Sequence, residues 1–197
     1  LVSNTVSGNT GAGIDIRNAT NTGVRRNRVE NNGGYGVYLT NSAIGTVLVN
    51  NIISGNTLEG IRVNGDTSAQ NRWSQNSVFG NKGANGGIYV SAGANNAIGR
   101  PKITEIKGRY VYGTVNSPNA TIELFSDDQT QGRYYLGTAV ADANGKFTIY
   151  VSKNTFQAPG AVAVATDAQG NSSEFSDTFI IPDVTPDFPL FMPLVRK

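Results

Sequence analysis

Asp15, Tyr38, Arg62 and Tyr89 carry the most suggestive chemistry in this chain of 197 residues. Each sits between two apolar residues: Ile14 and Ile16, Val37 and Leu39, Ile61 and Val63, Ile88 and Val90. On a strand, that alternation buries the apolar pair and turns the middle residue outward. Tyrosine faces and an arginine fork together suit a sugar ring or an acidic glycan, through stacking and bidentate hydrogen bonding. Two residues further on, Arg17, Thr40, Asn64 and Ser91 form a companion column. The first set also reads as plain sheet surface. Tyrosine is a good strand residue, and Arg62 would then pair with Asp15 or stack on a tyrosine.

Other reactive groups are sparse. Residues 1–100 hold only four carboxylates, Asp15, Glu30, Glu59 and Asp66, and all four read as solvated surface. The chain has no histidine, the commonest acid–base group at neutral pH, and no cysteine to form a disulfide. No catalytic, cofactor or metal set is expected. Arg25, Arg26 and Arg28 would meet an anionic polymer or simply be solvated at a corner. Asp127, Asp128 and Asp142 would share a Ca²⁺ or serve as turn residues. Residues 1–100 carry 8 Lys/Arg against 4 Asp/Glu, and residues 101–197 carry 8 against 10. Neither balance points to nucleic acid. No apolar run is long enough to span a membrane, and no N-terminal stretch reads as a signal peptide.

The elements that position the column come from a repeat. Asn4, Asn27, Asn51 and Asn76 open one phrase at steps of 23, 24 and 25 residues. Its members run in parallel: Val6, Val29, Ile53, Val78; Asn9, Asn32, Asn56, Asn81; Gly13, Gly36, Gly60, Gly87. A period in this range marks a solenoid, whose unit cannot bury its apolar face alone. Three short alternating runs per unit predict one coil of a parallel β-helix, with like residues stacked ~4.8 Å apart. Leu1, Val24, Leu48 and Trp73 share one register, so Trp73 is a core residue in this reading. Of 23 asparagines, 18 lie in residues 1–100, where side-chain amides can bond from coil to coil. The glycine columns are expected at corners of positive φ or sharp bend.

These registered copies resemble right-handed parallel β-helix repeats of the NosD and pectate-lyase-like type, over about residues 1–98. The resemblance implies the fold. Lyase-like members of such folds use carboxylates for Ca²⁺ and an Arg or Lys base, and hydrolase-like members use clustered aspartates. No two carboxylates here share a column, so that site is not carried over.

After Val90 the phrase stops, with one last strand expected through Ile98, before Pro101. Strand-like runs follow at 103–106, 110–115, 121–125, 134–140, 146–151, 161–166 and 176–181, separated by turn residues. Asn144-Gly145 between two runs predicts a hairpin. About seven short strands in ~80 residues predict an antiparallel sandwich. The wording of Gly113–Phe125, Leu136–Phe147 and Val164–Ser173 resembles bacterial immunoglobulin-like repeats, modules of adhesins and secreted surface proteins. Residues 182–197 form a proline-rich tail with Phe188, Leu190, Phe191 and Leu194, read as a strap on the sandwich or a surface-protein tail.

The expected architecture is therefore all-β: parallel β-helix coils over 1–100, an immunoglobulin-like β-sandwich over 101–181, and a tail. The expected function is a structural or adhesive, non-catalytic segment of an exported bacterial surface protein. The alternative is the C-terminal part of a polysaccharide lyase, hydrolase or epimerase with catalytic coils upstream. Expected partners are a polysaccharide, or further copies as in a surface layer or filament. Leu1 opens in register on a coil strand, an edge expected to be covered by further coils, another subunit or the apolar tail residues Phe188, Leu190, Phe191 and Leu194.

Overall fold

The computed structural model describes residues 1–151 and 156–181. Its first half is built from eleven parallel strands, three to four residues each. In chain order they are β1 (Thr5–Ser7), β2 (Ile14–Arg17), β3 (Gly23–Arg25), β4 (Arg28–Glu30), β5 (Val37–Thr40), β6 (Val47–Val49), β7 (Ile52–Ser54), β8 (Ile61–Val63), β9 (Arg72–Ser74), β10 (Ser77–Phe79) and β11 (Ile88–Val90). They stack as three sheets, β1-β4-β7-β10, β2-β5-β8-β11 and β3-β6-β9, which wind into a solenoid of about four coils. Register is kept from coil to coil: Val6 lies against Val29, Val29 against Ile53 and Ile53 against Val78. Val24, Leu48 and Trp73 form the third inward column, as their shared register predicts.

Two asparagine ladders run inside the coils. Asn4 donates its backbone N–H and side-chain amide to Asn27 Oδ1 at 2.9 and 3.0 Å. Asn27 does the same to Asn51, and Asn51 to Asn76. The second ladder runs from Asn9 through Asn32 and Asn56 to Asn81. Each ladder residue follows a left-handed one. Ser3, Arg26, Asn50 and Gln75 have φ between 52° and 56°, and Gly8, Asn31, Gly55 and Gly80 between 54° and 70°. Gly13, Gly36, Gly60 and Gly87 sit at sharp bends just before their strands, as expected, though none of the four has positive φ. Their role is close approach: a Cβ on Gly36 would stand 2.4 Å from Ile53 Cγ2 and 2.6 Å from the Gly60 carbonyl.

The expected strand through Ile98 is replaced by a short turn, Ala94–Ala97, in which Asn95, Asn96 and Ala97 all have positive φ. The Asn95 side chain ties this turn to the coil below. Its Oδ1 accepts from Asn71 N and its Nδ2 donates to the Asn71 carbonyl.

Seven antiparallel strands follow: β12 (Lys102–Lys107), β13 (Tyr110–Thr114), β14 (Thr121–Ser126), β15 (Tyr134–Val140), β16 (Lys146–Tyr150), β17 (Gly160–Thr166) and β18 (Phe179–Ile180). They form two small sheets, β12-β13-β16 and β15-β14-β17-β18, packed around one apolar cluster. The Asn144-Gly145 turn is not a hairpin joining paired strands. β15 pairs with β14 and β16 with β13, so the turn passes from one sheet to the other. Asp142 Oδ1 holds it by accepting from Asn144 N and Lys146 N, both at 2.8 Å.

The central sheet is buried on both faces. Ile122, Leu124, Ala163 and Ala165 face the second sheet, whereas Phe125, Val162 and Val164 join the core of the coils with Phe175. The antiparallel half thus closes the end of the solenoid, an end that would otherwise be an open edge. Gly132 forms an antiparallel bridge with Val78. Gln131 takes the next place in the second ladder, accepting from Asn81 N at 3.1 Å and donating to the Asn81 carbonyl at 3.2 Å. Trp73 Nε1 donates to the Ser173 carbonyl at 3.0 Å. The tail residues Phe188, Leu190, Phe191 and Leu194 lie outside the described residues.

Candidate functional site

The sheet β2-β5-β8-β11 places Asp15, Tyr38, Arg62 and Tyr89 side by side as Cα partners. Inward neighbours hold each strand: Val37, Leu39, Ile61 and Val63 are fully buried. The middle residues are left on the outer surface, as alternation predicts.

Of the two contacts expected for Arg62, the structure shows the stack on a tyrosine and not the pair with Asp15. Asp15 is bound by Arg17 on its own strand, with Nε to Oδ1 at 2.7 Å and Nη2 to Oδ2 at 2.5 Å. Residues two apart on a strand share a face, which favours that pair over Arg62. The bound carboxylate raises the pKa of the Arg17 guanidinium further, first through the hydrogen bond and then through its charge. Arg62 instead lies over the Tyr89 ring, 3.9 Å from its centroid, and 5.7 Å from that of Tyr35. Tyr35 packs on Tyr38 at 4.9 Å, and Arg17 sits 5.8 Å from the Tyr38 centroid. The result is a continuous stack up the coils: Arg17 with Asp15, Tyr38, Tyr35, Arg62, Tyr89. Tyr35 was absent from the sequence reading because it lies just before Gly36, outside the alternating run. Its signal is only that it is an aromatic residue beside a corner.

The guanidinium of Arg62 is held by ring faces, and its Nε is buried with no hydrogen-bond partner. Among the described residues Nη1 and Nη2 likewise form no hydrogen bond to a protein acceptor, and they are the atoms left to meet a ligand. Cation–ring contacts of this kind contribute ~0.5–1 kcal/mol each at exposed sites and fix the orientation of the cation. The companion column is less available: Thr40 is buried, and Ser91 Oγ accepts from Gly65 N at 3.1 Å.

The remaining candidates are accounted for by structure. Glu59 is not solvated: it is buried and accepts from Asn85 Nδ2 at 2.7 Å. Glu30 pairs with Arg28 at 2.8 Å, and Arg26 occupies a left-handed corner. Asp127 accepts from Gln129 N at 2.9 Å and Arg133 N at 3.0 Å, and Asp142 closes its own turn. Among the described residues no group of three or more His, Cys, Asp or Glu converges as a metal set. Leu1 is exposed, with its ammonium donating to the Gly23 carbonyl at 2.8 Å.

One functional-looking group was not legible at all. Glu123 is buried where the antiparallel half meets the coils, accepting from Ser74 Oγ and from Gln75 N at 2.8 Å. Burial pushes its pKa up, opposed by those hydrogen bonds and by Arg72. Its partners lie 48 and 49 residues away, so no local pattern announces them.

The sequence matches the family described as right handed beta helix region over residues 1–156. With a parallel solenoid of about four coils, the chain belongs to the right-handed β-helix family. The match runs past β11 through β16, so it includes strands that close the end of the coils. No curated protein matches the chain.

Proposed function

We propose that this chain is a structural and adhesive segment of an exported cell-surface protein whose coils contact an acidic polysaccharide. The observation that supports this reading best is Arg62, clamped between Tyr35 and Tyr89 with its fork unspent. A guanidinium held that way recognises a carboxylate at low entropic cost, while flanking rings offer faces to sugar C–H groups. The carboxylates of the coils support a non-catalytic role, because Asp15, Glu30 and Glu59 are each engaged by a structural partner. In this reading the antiparallel half is an immunoglobulin-like module, a view supported by its seven strands in two facing sheets.

The test combines turnover and binding on one panel of acidic and neutral polysaccharides. The expected result is no cleavage, with acidic binding that is weakened in Tyr38→Ala/Arg62→Ala. Robust cleavage would instead assign the coils to a polysaccharide lyase, hydrolase or epimerase. Absent binding, or binding unchanged in the double variant, leaves the column as surface only.

A further inference from the structure

The sheet β12-β13-β16 has one face on the apolar cluster, through Ile103, Val111, Phe147 and Ile149. Its other face carries three tyrosines and is uncovered among the described residues. Tyr110 and Tyr150 are Cα partners on adjacent strands, 47% and 50% exposed, with ring centroids 5.2 Å apart. Tyr112, two residues along β13 and so on the same face, lies 6.4 Å from Tyr110. Burial explains none of them, because the inward positions of both strands are filled by other residues.

The charges around this strip are mostly of one sign. Lys107 is the Cα partner of Tyr110, at one end. Lys102 and Lys146 flank Thr114 from either side, at the other end. Tyr110 and Thr114 are four residue steps apart, so the two cationic ends are roughly 14 Å from one another. Among the described residues none of these three lysines forms an ion pair. Glu105, opposite Tyr112, is the acid among them. Three lysines against one glutamate give the face a net positive charge.

From this we infer that the Tyr110–Tyr112–Tyr150 face is a second binding surface, for a carboxylate-bearing polysaccharide. The strip is a flat pleated face that presents rings with free cations at both ends. Rings stack on the C–H faces of sugars, and lysine ammoniums meet carboxylates along an extended chain. A protein partner fits the composition less well, since lysine is depleted in the buried cores of protein interfaces. The face is separate from the coil column, and substitutions here leave Tyr38 and Arg62 untouched.

The test is affinity electrophoresis of the full chain in gels containing polygalacturonate, a neutral cellulose ether, or polyglutamate. Four proteins are compared: the parent, Tyr110→Ala/Tyr150→Ala, Lys107→Glu/Lys146→Glu, and Tyr38→Ala/Arg62→Ala. Circular dichroism confirms folding, and because the altered side chains point outward, all three variants are expected to stay folded. The expected result is retardation by polygalacturonate that weakens several-fold in the Tyr110/Tyr150 variant and at least as much in the lysine variant. Neither the neutral polymer nor polyglutamate should retard the parent to the same degree. Equal retardation by polyglutamate, or polygalacturonate binding untouched by the tyrosine change, overturns the inference. So does self-association of the parent that both variants of this face abolish, which would make the face a contact between copies. If Tyr38→Ala/Arg62→Ala alone removes polygalacturonate binding, the coil reading stands and this one falls. If only the Tyr110/Tyr150 variant does, the reverse holds.

Discussion

Two kinds of polar column climb the same coils, and they have opposite obligations. The asparagine ladders are buried: Asn27, Asn51 and Asn56 are 0–1% exposed. Each donates to and accepts from its neighbours in the adjacent coils, so every amide satisfies another. The outer column repeats just as regularly, yet its residues change from Asp15 to Tyr38 to Arg62 to Tyr89. A buried polar group costs ~1–3 kcal/mol when left unpaired, whereas an exposed one turns to water. Identity is therefore enforced inside and free outside. That freedom is what the proposed binding surface on the outer column relies on.

The sharpest way to break this contrast is Asn51→Ala. It removes the acceptor of Asn27 N and Nδ2 and the donor to the Val24 carbonyl, and it cuts the ladder at its middle. The expected loss is about 4 kcal/mol, read from a denaturation curve. A loss below about 1 kcal/mol would mean that water repairs the gap and that the ladder is not an obligation.

Gly36→Ala tests the same interior by adding atoms instead of removing bonds. The new Cβ would be forced into Ile53, Asn56 and the Gly60 carbonyl, with backbone as one of the obstacles. Overpacking of this kind is expected to cost about 3 kcal/mol. The same change at Gly11, which has nothing within 4 Å, should leave the melting temperature nearly unchanged.

Glu123 extends the comparison to the end of the coils, where the buried polar partner is a carboxylate and not an amide. Burial raises its pKa in the folded state, and that of Asp127 as well. The sign follows from linkage: a raised folded-state pKa favours the protonated form, so stability is greatest below the ordinary carboxylate pKa. It declines as pH rises through the raised value. Glu123→Gln keeps an acceptor but carries no charge, so its stability should fall less between mildly acidic and neutral pH than that of the parent. Melting temperatures across that range check this. Identical pH profiles would mean that hydrogen bonds from Ser74 and Gln75 fully offset the cost of burial.

These regions also differ in how far they were legible. Inward columns such as Val29–Ile53–Val78 could be read because one period sets both sequence and contact. The seven antiparallel strands could be read because turn residues bound each alternating run. What failed depended on distant partners. Asn144-Gly145 looks like a hairpin locally, and only the pairing of β16 with β13 shows that it joins two sheets. Glu59 looks like a surface acid until Asn85, in the next coil, is found against it. Gln131 and Glu123 complete the coils from outside the repeat, so periodicity is silent about them. In the outer column, register gave the neighbours but not the pairing. Asp15 chose Arg17 on its own strand, leaving Arg62 to the rings.

The smallest expected effect is the one that isolates function from stability. Tyr38→Ala/Arg62→Ala removes two members of the stack without touching an inward residue. Arg62 contributes its contacts with Tyr89 and Tyr35, each ~0.5–1 kcal/mol at an exposed site, and part of that returns as freed side-chain entropy. The double variant should therefore lose about 1 kcal/mol or less, a quarter of the effect of Asn51→Ala on the same coils. On the proposed reading its affinity for an acidic polysaccharide should fall far more, since the guanidinium would be the carboxylate-binding group. Thermal denaturation and binding measured on one preparation separate the two. A large loss of stability would make the outer column as structural as the asparagine ladders, because the stack would then be supporting the coils and not a ligand.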